Sequence, residues 1–518
     1  MTASNRGKKT AGHVLEVAAF LVLLLAVLAG ATRLLERKNS REKFEPFLNS
    51  AKEYEVLFLG NSHMVNEVFP MELWRDYGIA SYNIASEGNT MPVSYWLLMN
   101  AFEHASPKLV VVDINDINLK EKISGDVPNV HTAMDAYPLT PVKVQMILDL
   151  MDDPLVEDFE GNNVRSIRWE YLLTLGKYHS RWHELTSRDL HPDLNVQKGA
   201  HMFVAVKKPD PYTLVTTSMQ EDGRGFEYLR RLIAQCQSRG TEVLLVHLPY
   251  PANEVQQQAA RVVEYIAEET GCRFLDFVQM DSIVDYGVDL SDTNSHLNPS
   301  GTRKVTDYLG RYIREHYDIA DHRQDPAYAH WKGQYDEYVD YKASFFDMSF
   351  GIREILMLLH DPDFACCVSI PENSDFYDDE QLVMLLQNIA RHHIFEGDEG
   401  DEVWSDRIYP LEQLLGAAED REAYFVMFDP ARKTLEEITG KGAGKGETSF
   451  GQWQYASNGE RRKLWIRDGA GTEDGFDTED GGENLVYIWI FDERDGRLLR
   501  RLALSMEGGT EESASREM

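Results

Sequence analysis

From Tyr54 onward, short apolar runs alternate with stretches of helical periodicity. The runs are Glu55 to Leu59, Ser81 to Ala85, Leu109 to Asp113, Glu242 to Val246 and Arg273 to Phe277. They are largely continuous in apolar character and separated by helices, which predicts a parallel sheet covered on both faces. The last helix of this unit opens at Pro299-Ser300-Gly301, and its Val305, Tyr308, Leu309, Tyr312 and Ile313 recur at helical spacing as one buried stripe. Strands and helices together predict a doubly wound α/β domain over residues 44–318. Between its third and fourth strands lies a helical, aromatic-rich insertion, residues 118–222. An insertion of that size at the carboxyl end of a parallel sheet is expected to shape the ligand site.

Beyond Asp318 the pattern changes. A Tyr- and Asp-rich stretch leads into a helix ending near Leu359, a β-run from Phe364 to Ile370, a helix from Asp379 and a β-run from Tyr424 to Phe428. After a Gly/Lys linker at 440–446, strands are expected at Trp453 to Tyr455, Lys463 to Arg467 and Leu485 to Phe491, with Asp495-Gly496 turning the chain into Leu498 to Leu504. This is an α+β region over 319–506, one module or two. The acidic, Gly-rich loop from Asp468 to Glu483 and the tail 507–518 are expected to be disordered.

At the other end, Arg6, Lys8 and Lys9 precede an apolar run from Val14 to Ala31, broken only by Glu16. The run approaches the hydrocarbon thickness of a bilayer, so residues 1–43 read as a single-pass anchor in contact with membrane lipid. A cleavable signal peptide is the competing reading, because Ala29-Gly30-Ala31 offers small residues. Arg33, Arg37, Lys38, Arg41 and Lys43 follow the run, so basic residues flank it on both sides and charge does not set its orientation. The signal-like position places the body outside the cytoplasm.

Charge narrows the function further. The chain carries 52 Lys and Arg against 86 Asp and Glu, a net charge of -34, and all of that excess lies beyond the basic first 43 residues. So acidic a body is repelled by phosphate backbones, which excludes nucleic acid as the expected partner. Four cysteines make no disulfide framework at this length; Cys366 and Cys367 are adjacent, and Cys236 and Cys272 read as buried thiols, with pairing the alternative. His179 and His183 stand four apart in the insertion without a visible third ligand, so neither metal nor cofactor is expected.

The candidate chemistry lies at the strand ends. Gly60-Asn61-Ser62-His63 follows the first strand and opens a helix, Gly88-Asn89-Thr90 follows the second, Asp113-Ile114-Asn115-Asp116 ends the third, and Asp292-Thr293-Asn294-Ser295-His296-Leu297-Asn298-Pro299 precedes the last helix. A serine at a strand-to-helix turn is by itself a common cap. Separate strand ends delivering Ser, Gly, Asn and His in this order to one sheet edge form a much more specific pattern.

That pattern resembles the SGNH (GDSL-like) hydrolase superfamily over residues 50–318. The resemblance implies a three-layer, flavodoxin-like fold with Ser62 as nucleophile, His296 as general base, and the Ser62 and Gly88 amides with the Asn115 side chain as oxyanion hole. Two positions depart from the family pattern. Asp113 stands where the third block carries Gly, which keeps Asn89 as a competitor for Asn115, and the position three before His296 is Thr293, so the triad acid falls to Asp292 unless the site is a Ser-His dyad. With an N-terminal anchor and a large insertion, the chain is most similar to bacterial membrane-anchored members. These act in O-acetylation of cell-surface polysaccharides and wall polymers. The resemblance thus implies an extracytoplasmic serine esterase or O-acyltransferase with an acylated glycan as substrate and a membrane acyltransferase as a candidate partner. The alternative is a catalytically degenerate glycan-binding accessory protein, which Asp113 and the displaced acid favour. Trp169, Tyr171 and Trp182 of the insertion are the expected sugar-binding aromatics.

Overall fold

The computed structural model describes residues 3–115, 117–118, 127–151, 164–191, 193, 195–280, 283–394, 411–458, 461–478 and 485–505. The tail 507–518 and two stretches of the insertion, 119–126 and 152–163, lie outside the described residues.

Helix α1 (Ala3–Leu35) holds the apolar run, and its segment His13–Leu35 is long and apolar enough to cross a membrane. It is followed by α2 (Lys38–Ser50), which straddles the expected boundary at residue 43 and packs into the body through the fully buried Phe44 and Phe47. The junction is tied by hydrogen bonds. Lys38 Nζ donates to the carbonyls of Arg33 (2.7 Å), Leu34 (3.1 Å) and Glu36 (2.9 Å), a cationic cap on the C-terminal end of α1.

The α/β unit runs β1 (Val56–Leu59), α3 (Ser62–Glu67), α4 (Pro70–Tyr77), β2 (Ser81–Asn83), α5 (Met91–Ala101) and β3 (Leu109–Asp113). The insertion then contributes α6 (Val127–Met134), α7 (Pro141–Met151), α8 (Val164–Leu172), α9 (Thr174–Tyr178), a 3-10 turn (His179–His183) and α10 (Ser187–Leu190). The unit closes with α11 (Arg224–Ser238), β4 (Glu242–His247), α12 (Glu254–Thr270), β5 (Arg273–Asp276) and α13 (Pro299–His316). Its sheet is parallel throughout, in the order β2-β1-β3-β4-β5. Side chains alternate between two cores, as a period of two requires: Leu57, Val110, Val112 and Leu245 pack with α5, α11 and α12, whereas Val56, Phe58, Val111 and Val246 pack with α3, α4 and α13. Val305, Leu309 and Ile313 of α13 are fully buried, as the stripe predicts.

The remaining elements are α14 (His330–Ala343), α15 (Ile352–Leu358), β6 (Phe364–Ile370), α16 (Glu380–Ile394), α17 (Glu412–Asp420), β7 (Tyr424–Asp429), β8 (Thr434–Thr439), β9 (Lys441–Thr448), β10 (Gly451–Asn458), β11 (Arg462–Asp468), β12 (Glu473–Asp477), β13 (Leu485–Asp492) and β14 (Leu498–Ser505). They form an antiparallel sheet β14-β13-β6-β7-β8 and a second one β12-β11-β10-β9. Phe364, Cys366, Val368 and Ile370 of β6 face the helices in the core shared with the α/β unit, while Ala365 and Cys367 face Trp453, Tyr455 and Ile466 of the second sheet. All four cysteines are free. Two expectations need correction. The Gly/Lys linker is strand β9, and part of the acidic loop expected to be disordered is strand β12. In β9 the Lys side chains face outward and the glycines inward, where a Cβ on Gly444 would stand 2.9 Å from the Trp453 ring.

The two halves are also joined by a buried ion network. Arg303 of α13 bonds Glu72 of α4 (3.1 Å) and Asp361 (2.6 Å), and Lys342 of α14 bonds Asp361 (2.7 Å) and Asp363.

Candidate active site

Ser62 is the first residue of α3, two positions after the Gly60 that ends the β1 run, with the Asn61 side chain accepting from the His63 amide at 3.0 Å. His296 comes from the loop between β5 and α13. That loop is pinned by Ser291, whose amide and hydroxyl both donate to the His296 carbonyl (2.9 and 3.0 Å), and by Asn298, which caps α13 and holds the Val288 carbonyl at 2.7 Å. Across 234 positions of sequence, His296 Nε2 and Ser62 Oγ lie 2.9 Å apart.

Asp292 completes the relay, its Oδ2 lying 2.6 Å from His296 Nδ1. An acid four positions before the histidine reaches it because Asp292 Oδ1 accepts three successive backbone N–H groups, from Asn294 (3.2 Å), Ser295 (2.6 Å) and His296 (3.0 Å). The turn so formed absorbs the extra residue and sends Thr293 outward to Asp210 (3.1 Å). Asp289 is occupied by Ser300 and Lys304, and Asp285 by the Gly287 amide. Burial raises the Asp292 carboxyl, yet its hydrogen bonds to His296 and the backbone outweigh that and hold it at about 2. Burial likewise lowers His296, but the bond to Asp292 and the charges of Glu67, Asp292 and Glu87 leave it above its ordinary value. A serine hydroxyl, an imidazole and an ionised carboxylate in this order can pass a proton from Ser62 Oγ to His296 and stabilise the resulting cation.

The turn carrying Gly88 is drawn against the nucleophile turn by the Ser86 amide, which donates to the Gly60 carbonyl at 3.3 Å, and Gly88 has φ +65°, a conformation suited to glycine. Asn115 accepts from the Tyr250 hydroxyl at 3.0 Å through Oδ1, a bond that does not use its amide N–H groups. Asn89, the competitor, directs its amide to the Gly60 carbonyl at 3.5 Å. Asp113 is buried against Gly60, where a Cβ would stand 2.8 Å from the Asp113 Cβ. Burial pushes the Asp113 carboxyl up to about 7.

The strand-end pattern assigns no role to several neighbours of the relay, although His63 and Ser295 lie within its blocks. His63 Nδ1 lies 3.0 Å from Glu67, its Nε2 3.3 Å from the Ser295 hydroxyl, and its ring packs on Tyr250 with centroids 4.4 Å apart. Tyr250 follows β4, a fifth strand end at the same edge, and that position is the one feature of the sequence that could have found it. Phe203 stacks toward His296 with centroids 6.2 Å apart while remaining 45% exposed. It lies on the returning limb of the insertion, held beside the relay loop by the Lys207 and Asp210 amides, which donate to the Leu290 and Thr293 carbonyls.

The aromatics expected to bind sugar are placed differently. Tyr171 is buried inside the insertion and stacked on His131 at 3.8 Å, so it is a core residue. Trp169 and Trp182 are exposed, but neither lines the cleft beside the insertion. That cleft, about 1300 Å³, lies between α2, the insertion and the turn after β2; it is lined by Lys43, Val65, Ser86, Glu87, Arg181 and His201 among others. It approaches the relay at Val65, Ser86 and Glu87, while Ser62 and His296 stand outside its lining. His179 and His183 share a 3-10 turn, with His179 bonded to the Gly176 carbonyl. Among the described residues no cluster of three metal-ligating side chains occurs.

No family model and no curated protein matches the chain. Among solved structures, the chain is similar to the crystal structure of a "putative acylhydrolase" from Bacteroides fragilis NCTC 9343, at 10% identity and a TM-score of 0.28, over 54% of this chain and 98% of that one.

Proposed function

We propose that the protein is an SGNH-type serine esterase or O-acyltransferase, anchored by α1 with its body outside the cytoplasm, that acts on acetylated glycans. The observation that carries this reading is the Ser62–His296–Asp292 relay, with contacts of 2.9 and 2.6 Å. In the first half-reaction His296 Nε2 takes the Ser62 proton as Oγ attacks the acyl carbonyl. The oxyanion is met by the Ser62 and Gly88 amides and the Asn115 side chain, and His296 returns the proton to the departing sugar oxygen. Water or a second sugar hydroxyl, deprotonated by the same imidazole, then releases the acyl group from Ser62. In the transferase case a membrane acyltransferase partner presents the acyl donor, whose own heteroatom takes the place of the sugar oxygen as the leaving group protonated by His296, and a sugar hydroxyl then takes the acyl group from Ser62.

The polar cleft of about 1300 Å³ beside the site supports an oligosaccharide over a small free ester. Asp113, standing where the resemblance implies Gly, favours a second reading, a glycan-binding protein without turnover. A serine-reactive fluorophosphonate decides between them. Covalent labelling of the folded chain at Ser62, lost in Ser62→Ala and in His296→Ala, is the result expected of the enzyme. A folded protein that takes no label, yet retains acetylated oligosaccharide, is the binding protein.

A further inference from the structure

We propose that the insertion is a second membrane contact, seating the exposed Trp169, Leu173, Trp182 and Leu190 in the lipid headgroup zone around the base of α1. This rests on the reading of α1 as a membrane span.

The base of α1 and the insertion are in direct contact. Arg181 donates to the carbonyl of Leu35, the last residue of the span, at 2.6 Å, and α1 packs against α9, the 3-10 turn and α10. The exposed side chains belong to these elements or adjoin them. Trp182 follows Arg181 in the chain, Leu173 immediately precedes α9, and Trp169 lies one helical turn before Leu173, whose amide it accepts. They are 60 to 71% exposed.

The vertical register of α1 fixes the height of this patch. Residues 13–30 are exposed all along the helix, whereas burial begins at Ala31. At about 1.5 Å per residue the exposed part spans about 27 Å, slightly less than a hydrocarbon core of about 30 Å. The four residue steps from Ala31 to Leu35 therefore place the top of the insertion about 6 Å above the lower end of the apolar span, within the depth at which interfacial side chains sit. A water-soluble body held there must meet lipid with whatever side chains it presents.

The side chains it presents suit that environment. Trp is the residue enriched at the headgroup level, where an apolar ring and a polar N–H are both satisfied. Residues 164–191 carry five Lys and Arg against three Asp and Glu, in a chain of net charge -34. Lys177, Arg181 and Arg188 pair with Glu170, Asp189 and Glu42, and Arg165 and Arg168 precede Trp169 in the chain, so this aromatic segment meets anionic headgroups without the acidic excess for which they repel the rest of the body. The exposure of Trp169 and Trp182, unexplained by the cleft, is accounted for by their position at the bilayer.

The test uses the full-length chain reconstituted in vesicles of phosphatidylcholine and phosphatidylglycerol, with the phosphatidylcholine either native or brominated on its acyl chains. Because α1 contains no Trp, bromine-dependent loss of Trp emission reports on the body alone, and flotation with the vesicles after an alkaline wash reports on the span. The expected result is flotation together with bromine quenching that falls about threefold or more in the Trp169→Phe/Trp182→Phe double variant. Flotation without quenching, or quenching unchanged in the double variant, overturns the second contact and leaves the anchor standing. A chain that does not float overturns the span reading and this proposal with it.

Discussion

At the scale of single residues the relay makes definite demands. His296 must be neutral to accept the Ser62 proton, and its contacts hold it above its ordinary 6.5. The kcat/KM for an acetyl ester is therefore expected to rise with pH through a value above 6.5, while Asp292, at about 2, stays ionised throughout. Burial also pushes the Asp113 carboxyl up to about 7. An acid limb that persists in Asp113→Asn and moves to lower pH in Asp292→Asn, which removes the bond and charge that raise His296, assigns the limb to His296. Asp292→Asn is also expected to keep the fold and lower turnover by roughly 10⁴, as a wrong imidazole tautomer does; a loss below tenfold would mean that a Ser-His dyad suffices. Phe203→Ala is expected to depress turnover of an acetylated oligosaccharide while sparing a small synthetic ester, because only the larger substrate uses remote binding energy. Equal losses on the two substrates would reduce Phe203 to a packing residue.

Among elements, what was legible in the sequence follows from what each element buries. Strands β1, β3 and β4 announce themselves because both of their faces need apolar side chains, and Ser62 and His296, which the fold brings to 2.9 Å, were legible as candidates because one follows a strand and the other precedes a helix with a clear pattern. Strand β9 carries no such signal, since its inward positions are glycines whose missing side chains make room for the Trp453 ring and Ile438. Phe203 was invisible for a different reason. It sits in a segment without regular structure, and its position is set by hydrogen bonds to a loop some 80 residues away. The ion network between α4, α13 and α14 is equally non-local, and it is where the two halves of the chain depend on one another. Asp361 is held well below the usual carboxylate range, burial being outweighed by Arg303, Lys342 and Arg75. Asp361→Asn leaves those cations facing a neutral amide in the interior, so a loss of about 3–5 kcal/mol is expected in denaturant unfolding. A loss within about 0.5 kcal/mol, as at ordinary surface sites, would show that the halves are held by apolar packing alone.

For the whole molecule, residue 43 marks no break in the structure: it lies inside α2, which joins the end of α1 to the body. The Ser40 hydroxyl accepts from the Ala136 amide at 2.9 Å, and Glu42 binds both the Asn195 amide and the Arg188 guanidinium, so the first turns of α2 brace the insertion. A chain beginning at residue 36 is expected to fold cooperatively and to melt several degrees above one beginning at residue 44; coincident melting curves would return those turns to the anchor. The cap that Lys38 places on the end of α1, reinforced by Arg181, has a consequence for how the proposed enzyme meets its substrate. A catalytic body on a slack leash would sweep a volume and could modify a polymer anywhere along its length. One clamped at its ankle works at a single altitude, in a film parallel to the bilayer, and diffuses only sideways. If the proposed substrate is a long glycan leaving the surface, it crosses that film once, so the acyl groups within reach are those passing at that moment, and the spacing of the marks is set by the speed of emergence relative to turnover.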